Sequence, residues 1–249
     1  MTQYELFKLE GEQEIKAQGN DPALKQATRE WFEKANAHKY SYHFEWLGRP
    51  IIQFPQDILA MQELIWQVQP DLIIETGIAH GGSLIFLASM LELNAACGGP
   101  NDAEVVGLDI DIRAHNRRAI EDHPMFKRIT MIQGSSLAPE VVAQVHSKAV
   151  RKKRVLVSLD SNHTHEHVLE ELKAYAPLTS VGSYCIVFDT VIEDMSPEMF
   201  PDRPWGPGNS PKSAVQEYLK SHSEFQIDKE IDHKLLISVA PGGYLRRVR

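Results

Sequence analysis

The sequence has 249 residues, of which 43% are apolar and 24% charged, enough for one α/β domain with appendages. Its 26 basic and 34 acidic side chains give a net charge of −8, which argues against a general nucleic-acid or anionic-membrane surface and favours a small polar substrate. Two cysteines argue against a disulfide framework. Neither a signal peptide nor an apolar run of transmembrane length is visible, so we expect a cytoplasmic protein.

Residues 1–70 are predicted to form a helical extension. Amphipathic patterns indicate helices near Pro22–Ala37 and Pro55–Val68, joined by an aromatic-rich segment from Tyr40 to Gly48. We expect this extension to cap one end of a sheet, and two further roles stay open: lining a substrate pocket, or contacting another subunit. An aromatic helical extension of this kind favours a homo-oligomer.

Residues 71–249 are predicted to form the second unit, in which strand and helix patterns alternate. The strands are expected at Asp71–Glu75, Glu104–Asp109, Arg128–Ile132, Val155–Asp160, Tyr184–Asp189, Phe225–Asp228 and Leu235–Val239. The helices are expected near Ser83–Leu93, Arg113–Asp122, Pro139–Val150, His165–Tyr175 and Ser213–His222. Only a short charged link separates the last two strands, so one of them should run antiparallel. The predicted fold class is therefore α/β, with a doubly wound, mostly parallel, seven-stranded Rossmann-like sheet.

A glycine-rich turn follows the first strand of this sheet. The apolar run from Leu72 ends on Glu75, and the turn then contains Gly77, Gly81 and Gly82 before a helix begins near Ser83. Glycines are needed where backbone approaches a ligand closely. Their G-x-x-x-G-G spacing differs from the G-x-G-x-x-G dinucleotide fingerprint, which argues against a nicotinamide cofactor. A turn without any ligand is the alternative.

This turn resembles the first motif of S-adenosylmethionine-dependent methyltransferases, E-x-G-x-x-x-G-G-S in this sequence. The resemblance implies that the turn contacts the methionine part of the cofactor, through Glu75, Gly77, His80, Gly81, Gly82 and Ser83.

The ends of the next two strands are candidates for the adenosine part of a nucleoside ligand. Asp109 ends the second strand, where a carboxylate can hold ribose hydroxyls, and Ile110 follows it. Asp111 could do the same or cap the next helix. The third strand ends in Gly134, Ser135 and Ser136, small residues that could lie near the adenine.

Two carboxylates follow neighbouring strands further along the sheet. Asp160 and Asp189 should meet at its carboxyl edge, where two hard oxygen ligands suit magnesium better than a soft metal. His163 is then placed to act as general base toward a substrate hydroxyl. The alternative is that both aspartates only cap loops and that His163 is a surface residue.

The sequence resembles the cephalosporin hydroxylase family over most of its length after residue 50. The motifs that carry this resemblance are Asp160–Leu172, Gly182–Tyr184, Phe188–Thr190, Trp205–Gly208 and Gly243–Arg247. Despite its name, that family has a methyltransferase fold, binds S-adenosylmethionine and a divalent cation, and is similar to metal-dependent O-methyltransferases that modify macrolide sugars. The resemblance implies that Asp160 also lies at the cofactor, that Asp160 and Asp189 are metal ligands, and that His163 is the base.

The sequence departs from the family pattern beside the second carboxylate. Phe188 stands where many relatives have glutamate, and Thr190 stands where catechol-type enzymes have asparagine. One of the usual three ligands is therefore missing or supplied from elsewhere, and Thr190 is kept as a candidate metal ligand.

The resemblance predicts an S-adenosylmethionine-dependent, magnesium-assisted O-methyltransferase that acts on a hydroxyl of a sugar or glycosylated metabolite. A proline-rich loop, residues 193–211, is predicted to overhang the metal, with Trp205 against a sugar face and Arg203 near an anionic group.

Two alternatives remain. One is a non-catalytic S-adenosylmethionine-binding protein, and the other is an iron oxygenase that uses Asp160, His163 and His167.

Overall fold

The N-terminal part of the chain is helical, as predicted. The computed structural model describes residues 1–249, and the first seventy form α1 (Gln3–Gln18), α2 (Pro22–Ala37), a hairpin of β1 (Phe44–Trp46) and β2 (Arg49–Ile51), and α3 (Pro55–Val68). Asp21 begins α2 by accepting a hydrogen bond from the Ala23 amide (2.8 Å), and proline occupies the first helical position.

Strands and helices alternate through the rest of the chain. In order, they are β3 (Leu72–Thr76), α4 (Gly82–Ala96), β4 (Glu104–Asp109), α5 (Ala114–Glu121), β5 (Ile129–Gln133), α6 (Pro139–Ala149), β6 (Val155–Leu159), α7 (His165–Tyr175), β7 (Tyr184–Val187), α8 (Pro211–Tyr218), β8 (Phe225–Ile227), α9 (Lys229–Leu235) and β9 (Tyr244–Arg247). Short 3₁₀ turns interrupt the connections, among them Thr190–Asp194 directly after β7.

The seven-stranded sheet has the order β5-β4-β3-β6-β7-β9-β8. The strands from β3 to β7 are parallel, and β9 is antiparallel to both of its neighbours. The sheet order reverses between β3 and β6, and the carboxyl ends of these two strands form the crevice where open α/β sheets bind ligands. The predicted fold class is confirmed, including one antiparallel strand.

Alternation along each strand separates two apolar layers. Ile73, Val105, Leu156 and Ile186 face a layer that includes α3 and α4. Their neighbours, among them Ile74, Val106, Val157 and Val187, face α6, α7 and α8. All residues of β3, β6 and β7 are buried, because helices cover both faces of the sheet, and such strands read as continuous apolar runs in sequence.

The prediction of a strand at Leu235–Val239 is wrong. The chain forms α9 before this point, begun by Asp228, which accepts from the Glu230 amide (3.1 Å), and Leu236 leaves the helix with φ 59°. The apolar run then crosses the buried carboxylate of Asp57, to which the Ser238 hydroxyl (2.6 Å) and the Val239 amide (2.9 Å) donate. These residues therefore serve a core contact, and the antiparallel strand is β9.

The extension is continuous with the core of the sheet. Phe32, Ile51 and Phe54 belong to the same apolar cluster as Ile73 and Leu84. The division of the chain into two units, residues 1–70 and residues 71–249, stays a prediction. Helix α1 packs against α9 but exposes Tyr4 and Phe7, and the homo-oligomer also stays a prediction. No helix combines the length and the apolar character needed to cross a bilayer.

Candidate active site

A cleft of about 440 Å³ opens at the carboxyl ends of β3, β6 and β7. Its lining comes from the extension, the glycine turn after β3, the turns after β6 and β7, the loop before α8, and Val239 between α9 and β9. Among the predicted site residues, those that line it are Gly77, His80, Gly82, Ser83, Asp160, His163 and Asp189. Glu75, Gly81, Asp109, Ile110, Gly134, Ser135, Ser136 and Thr190 do not line this cleft.

The glycine turn is tightly held against its neighbours. Gly77 has φ +91°, and a Cβ atom there would collide with the carbonyl oxygen of Asp160. A Cβ on Gly82 would collide with the carbonyl oxygen of Pro50. Only glycine fits these positions, because backbone of other segments occupies the space of a side chain. The turn is therefore fixed between the extension and the end of β6.

Asp109 holds the glycine turn in shape. Its Oδ2 accepts from the amides of Ile78 (2.9 Å) and Ala79 (3.2 Å), and its Oδ1 accepts from the Asp111 amide (2.9 Å). Asp111 does not cap α5, whose first residues lack a side-chain cap, and instead pairs with Arg113 at 3.8 Å. Ile110 is exposed. The structure thus brings Asp109 to the turn, and much of its hydrogen-bonding capacity is already used there.

The residues after β5 form a separate polar contact. The Gly134 amide donates to the carbonyl of Asp109 (2.9 Å), which places Gly134, Ser135 and Ser136 beside the end of β4. The Ser136 hydroxyl lies 3.2 Å from Nε2 of His167. Ser136 also accepts, through its carbonyl, a hydrogen bond from the buried hydroxyl of Tyr175.

Asp160, His163 and Asp189 form one cluster, as predicted. One ligand atom from each lies within 4.8 Å of the others, and His163 Nε2 is 3.2 Å from Asp189 Oδ2. The Asp160 amide donates to the Thr76 carbonyl (2.9 Å), which extends the register of β3 and β6 by one residue. Asp189 has φ 55°, a left-handed conformation that side chains rarely adopt and that is common at functional sites.

The cluster carries negative charge that no basic side chain offsets. Burial raises the pKa of Asp160 well above its usual range, and the carboxylates of Asp189, Glu75, Glu171 and Asp57 raise it further. Among the ion pairs of the chain, none joins any of these five carboxylates to a lysine or arginine; their only partners are His163 and His167. Hard oxygen donors with unbalanced charge fit a divalent cation.

Glu75 lies beneath the glycine turn and is buried. The Ser83 hydroxyl donates to its Oε2 at 2.9 Å. Burial raises the pKa of Glu75 to about 8, and the hydrogen bond from Ser83 opposes that rise. Asp57, buried on the other side of a small void, has its pKa raised by burial to about 6.

Thr190 is not part of the cluster. It is buried, and its hydroxyl donates to the carbonyl of Pro241 at 3.0 Å. His167 is also separate, because its Nε2 contacts Ser136, Ser161 (3.3 Å) and Glu171 (3.4 Å). The structure therefore does not bring His167 to Asp160 and His163, as the iron-oxygenase alternative requires.

The loop before α8 reaches the cleft through Met195, Met199, Phe200, Arg203 and Trp205. The Trp205 ring packs edge-on against His163, with ring centres 4.8 Å apart, and the Arg203 guanidinium lies 5.2 Å from the Trp205 ring centre. Glu193 holds the far end of the loop, since it accepts from the Gly208 amide (3.0 Å) and the Ser210 hydroxyl (2.5 Å). The loop thus fixes an aromatic wall beside His163.

Sequence reasoning missed the residues that the extension contributes. Phe32, Asn36, Ser41 and Tyr42 line the cleft, and Gln53 donates from Nε2 to Asp160 Oδ2 at 3.1 Å. No spacing or motif marks these residues, because only the packing of the hairpin against the glycine turn brings them to the sheet edge. Only the aromatic content of residues 40–48 pointed toward this region.

The sheet order, the glycine turn and the carboxylate pair define the class of S-adenosylmethionine-dependent methyltransferase folds. Among solved structures, the chain is similar to CmcI without ligand (TM-score 0.57, 20% identity, covering 84% of this chain and 77% of that one). It is also similar to an O-methyltransferase from Bacillus cereus in complex with SAH (TM-score 0.51, 15% identity, 88% and 87%). These likenesses confirm the predicted fold.

Sequence comparison identifies the family within that class. Residues 38–248 match the profile described as rhamnosyl O-methyltransferase/CmcI. The chain is 30% identical over 194 residues to rhamnosyl O-methyltransferase of Mycobacterium tuberculosis (strain ATCC 25618 / H37Rv), covering 77% of this chain and 73% of that protein. The enzyme of the same name from Mycobacterium leprae (strain TN) is 27% identical over 205 residues, 81% and 82%. The chain belongs to the rhamnosyl O-methyltransferase/CmcI family, which confirms the predicted resemblance.

Proposed function

We propose that this protein is an S-adenosylmethionine-dependent, divalent-metal-assisted O-methyltransferase that modifies a hydroxyl of a rhamnosyl or related sugar. The observation that carries the proposal is the cluster of Asp160, His163 and Asp189, which lies beside the glycine turn in a member of this family. The named relatives are rhamnosyl O-methyltransferases, and one similar solved structure is CmcI with magnesium and S-adenosylmethionine.

The residues around β3, β4 and β5 are proposed to hold the cofactor. Glu75, Gly77, His80, Gly81, Gly82 and Ser83 would surround its methionine part, with Asp160 beside them. Asp109 and Ile110 would lie at the ribose, and Gly134, Ser135 and Ser136 at the adenine. This assignment is supported by the fixed glycine turn and by its contact with Asp109. The uncompensated carboxylates would also attract a positively charged ligand.

Asp160 and Asp189 are proposed to hold a magnesium ion at the acceptor side. When bound, the cation would polarise an acceptor hydroxyl, and the cofactor would supply an electrophilic methyl group on a positively charged sulfur. Thr190 is not retained in this proposal, because its hydroxyl is bonded to Pro241.

His163 is proposed to take the proton of the acceptor hydroxyl at Nδ1, because its Nε2 is the ring nitrogen that contacts Asp189. Its contact with Asp189 (3.2 Å) orients the ring and would stabilise the imidazolium that forms. The acceptor oxygen then forms a bond to the methyl carbon, and the electron pair of the broken carbon–sulfur bond stays on sulfur. Trp205 limits the ring orientations of His163 and reduces the access of water.

The extension and the loop before α8 are proposed to form the acceptor wall. Tyr42, Phe200 and Trp205 offer flat aromatic surfaces suited to the apolar faces of a sugar ring, and Asn36 and Ser41 offer hydrogen bonds to its hydroxyls. We propose that residues 1–70 act as a cap on the cofactor-binding unit, residues 71–249, and supply part of this specificity.

The proposal is tested by methyl transfer from labelled S-adenosylmethionine to a panel of aryl glycosides that includes an α-L-rhamnoside. We expect product with magnesium, none after EDTA treatment, and none with Asp160→Asn. Incorporation that is insensitive to EDTA would contradict the metal role. Cofactor binding without transfer to any acceptor would favour the non-catalytic alternative.

A further inference from the structure

Gln53 is a buried side chain beside the cluster of Asp160, His163 and Asp189, and one of its hydrogen-bonding atoms has no partner. It follows β2, is 7% exposed, and lines both the cleft and the small void between Asp57, Glu75 and Phe188. Its Nε2 donates to Asp160 Oδ2, whereas its Oε1 is buried without any partner. Native proteins rarely leave a buried amide atom unpaired, and because Gln53 lines two cavities, one end of its amide is available to a ligand there.

The end of β7 provides only one oxygen donor to the cluster. Phe188, before Asp189, is apolar and buried, and Thr190, after it, uses its hydroxyl elsewhere. Magnesium prefers six ligands in octahedral geometry, mostly oxygen atoms. Asp160 and Asp189 leave most of these positions open, and Gln53 is the neutral amide that contacts an Asp160 carboxylate oxygen.

We propose that Gln53 supplies a neutral oxygen ligand to the divalent cation, an inference that rests on the proposed function. A half-turn of the amide exchanges Nε2 and Oε1, which have nearly the same shape. The atom of the Gln53 amide that contacts Asp160 lies 3.1 Å from Asp160 Oδ2. Adjacent ligands in an octahedron with metal–oxygen distances of about 2.0–2.1 Å lie roughly 2.8–3.0 Å apart. Gln53 and Asp160 therefore have the spacing of neighbouring metal ligands.

A neutral ligand suits the charge of this site. The ligand atoms of Asp160 and Asp189 already lie within 4.8 Å of each other, and a third carboxylate at position 53 would add to their mutual repulsion when no cation is bound. An amide adds a further oxygen ligand without adding charge. A carboxylate at the same position should therefore bind the cation more tightly than the amide does.

The experiment measures Mn²⁺ binding by the electron paramagnetic resonance signal of the free ion, with neither cofactor nor sugar present. We expect Gln53→Leu to weaken Mn²⁺ binding about tenfold or more and Gln53→Glu to strengthen it. The matched control is Gln56→Leu, because Gln56 also has a buried, unpartnered Oε1 but lines neither cavity, and it should bind Mn²⁺ like the wild type. Circular dichroism checks that each variant is folded, and Gln53→Glu decides the matter if Gln53→Leu unfolds.

Several outcomes separate this inference from the proposed function. If wild-type protein binds Mn²⁺ and Asp160→Asn abolishes binding, while both Gln53 variants behave like wild type, the ligand role of Gln53 is overturned and the metal site stands. If Gln53→Leu weakens only the binding of S-adenosylhomocysteine in EDTA, Gln53 belongs to the cofactor site and the inference is again overturned. If wild-type protein does not bind Mn²⁺, both the inference and the metal part of the proposed function fail.

Discussion

The two halves of the sheet edge use their carboxylates differently. At the ends of β3, β4 and β5, Asp109 accepts three backbone hydrogen bonds and so fixes the turn that it faces. At the ends of β6 and β7, the carboxylates of Asp160 and Asp189 have only the Gln53 amide and His163 as hydrogen-bond or ion-pair partners. In the first half, the carboxylate is bonded to the backbone of a loop and fixes it. In the second half, the carboxylates have few protein partners and can bind a ligand.

The two halves meet at one backbone contact. A Cβ atom on Gly77 would collide with the carbonyl oxygen of Asp160, so the glycine turn lies directly against the residue that bears the first carboxylate of the cluster. In the proposed reaction this contact would set the distance between the methyl donor and the acceptor oxygen. Substitutions in the second half, at the contact and in the first half should therefore have different effects. We expect the first to change catalysis, the second to change stability and cofactor binding, and the third to change the pH dependence of stability.

The largest effect is expected from His163→Ala, which removes the proposed base from the second half. Turnover should fall by roughly 10²–10⁴-fold, with little change in cofactor affinity, because general-base catalysis contributes about this much. Single-turnover kinetics and calorimetric titration with S-adenosylhomocysteine measure the two quantities. His165→Ala is the control, since His165 bonds to Ser213 outside the cleft. A variant as active as wild type would exclude His163 as base.

Gly77→Ala tests the contact between the halves. The substitution imposes both a left-handed conformation and a collision with the Asp160 backbone. Gly98→Ala is a matched control, because Gly98 has the same φ of +91° and open space around it. Gly98→Ala should cost about 1–2 kcal/mol of unfolding free energy, the typical penalty of that conformation. Gly77→Ala should cost more, roughly 2–4 kcal/mol.

Urea unfolding measures the stability of these glycine variants, and cofactor titration measures the consequence for the site. Weaker binding of S-adenosylhomocysteine is expected only for Gly77→Ala. Equal losses of stability in the two variants, with unchanged binding, would show that the Asp160 contact carries no constraint.

Much of the fold follows from sequence because the pattern of the sheet is local. Continuous apolar runs such as Ile73–Ile74 and Val155–Val157 mark strands buried on both faces. Where the pattern fails, at residues 235–239, an apolar run serves a long-range contact with Asp57. Periodicity cannot distinguish that contact from a strand, since both bury the same residues.

The candidate site was predictable where strand ends supply it and hidden elsewhere. Asp160 and Asp189 follow from topology alone, because neighbouring parallel strands end at one edge. Gln53 reaches Asp160 across 107 positions of sequence through the packing of a hairpin, which no local rule anticipates. Thr190 illustrates the converse error, since adjacency to Asp189 did not direct its hydroxyl to the cluster.

Glu75 lies at the border of the two halves. The smallest effect that we expect is a change in the pH dependence of the unfolding free energy, and it tests to which half Glu75 belongs. Burial raises its pKa to about 8 from 4.5, so the folded protein keeps a proton that the unfolded chain releases between these pH values. The resulting stability is fully present below pH 4.5 and is lost as the pH rises through 8. Glu75→Gln cannot titrate, so its unfolding free energy should fall less between pH 6 and pH 9, by about 2–3 kcal/mol in urea titrations. Asp57→Asn is the control, because the pKa of Asp57 is raised only to about 6 and its window closes near the lower limit of this range. Parallel pH profiles of wild type and Glu75→Gln would mean that Glu75 is charged at neutral pH and belongs with Asp160, whereas the expected divergence means that a neutral, hydrogen-bonded acid supports the glycine turn.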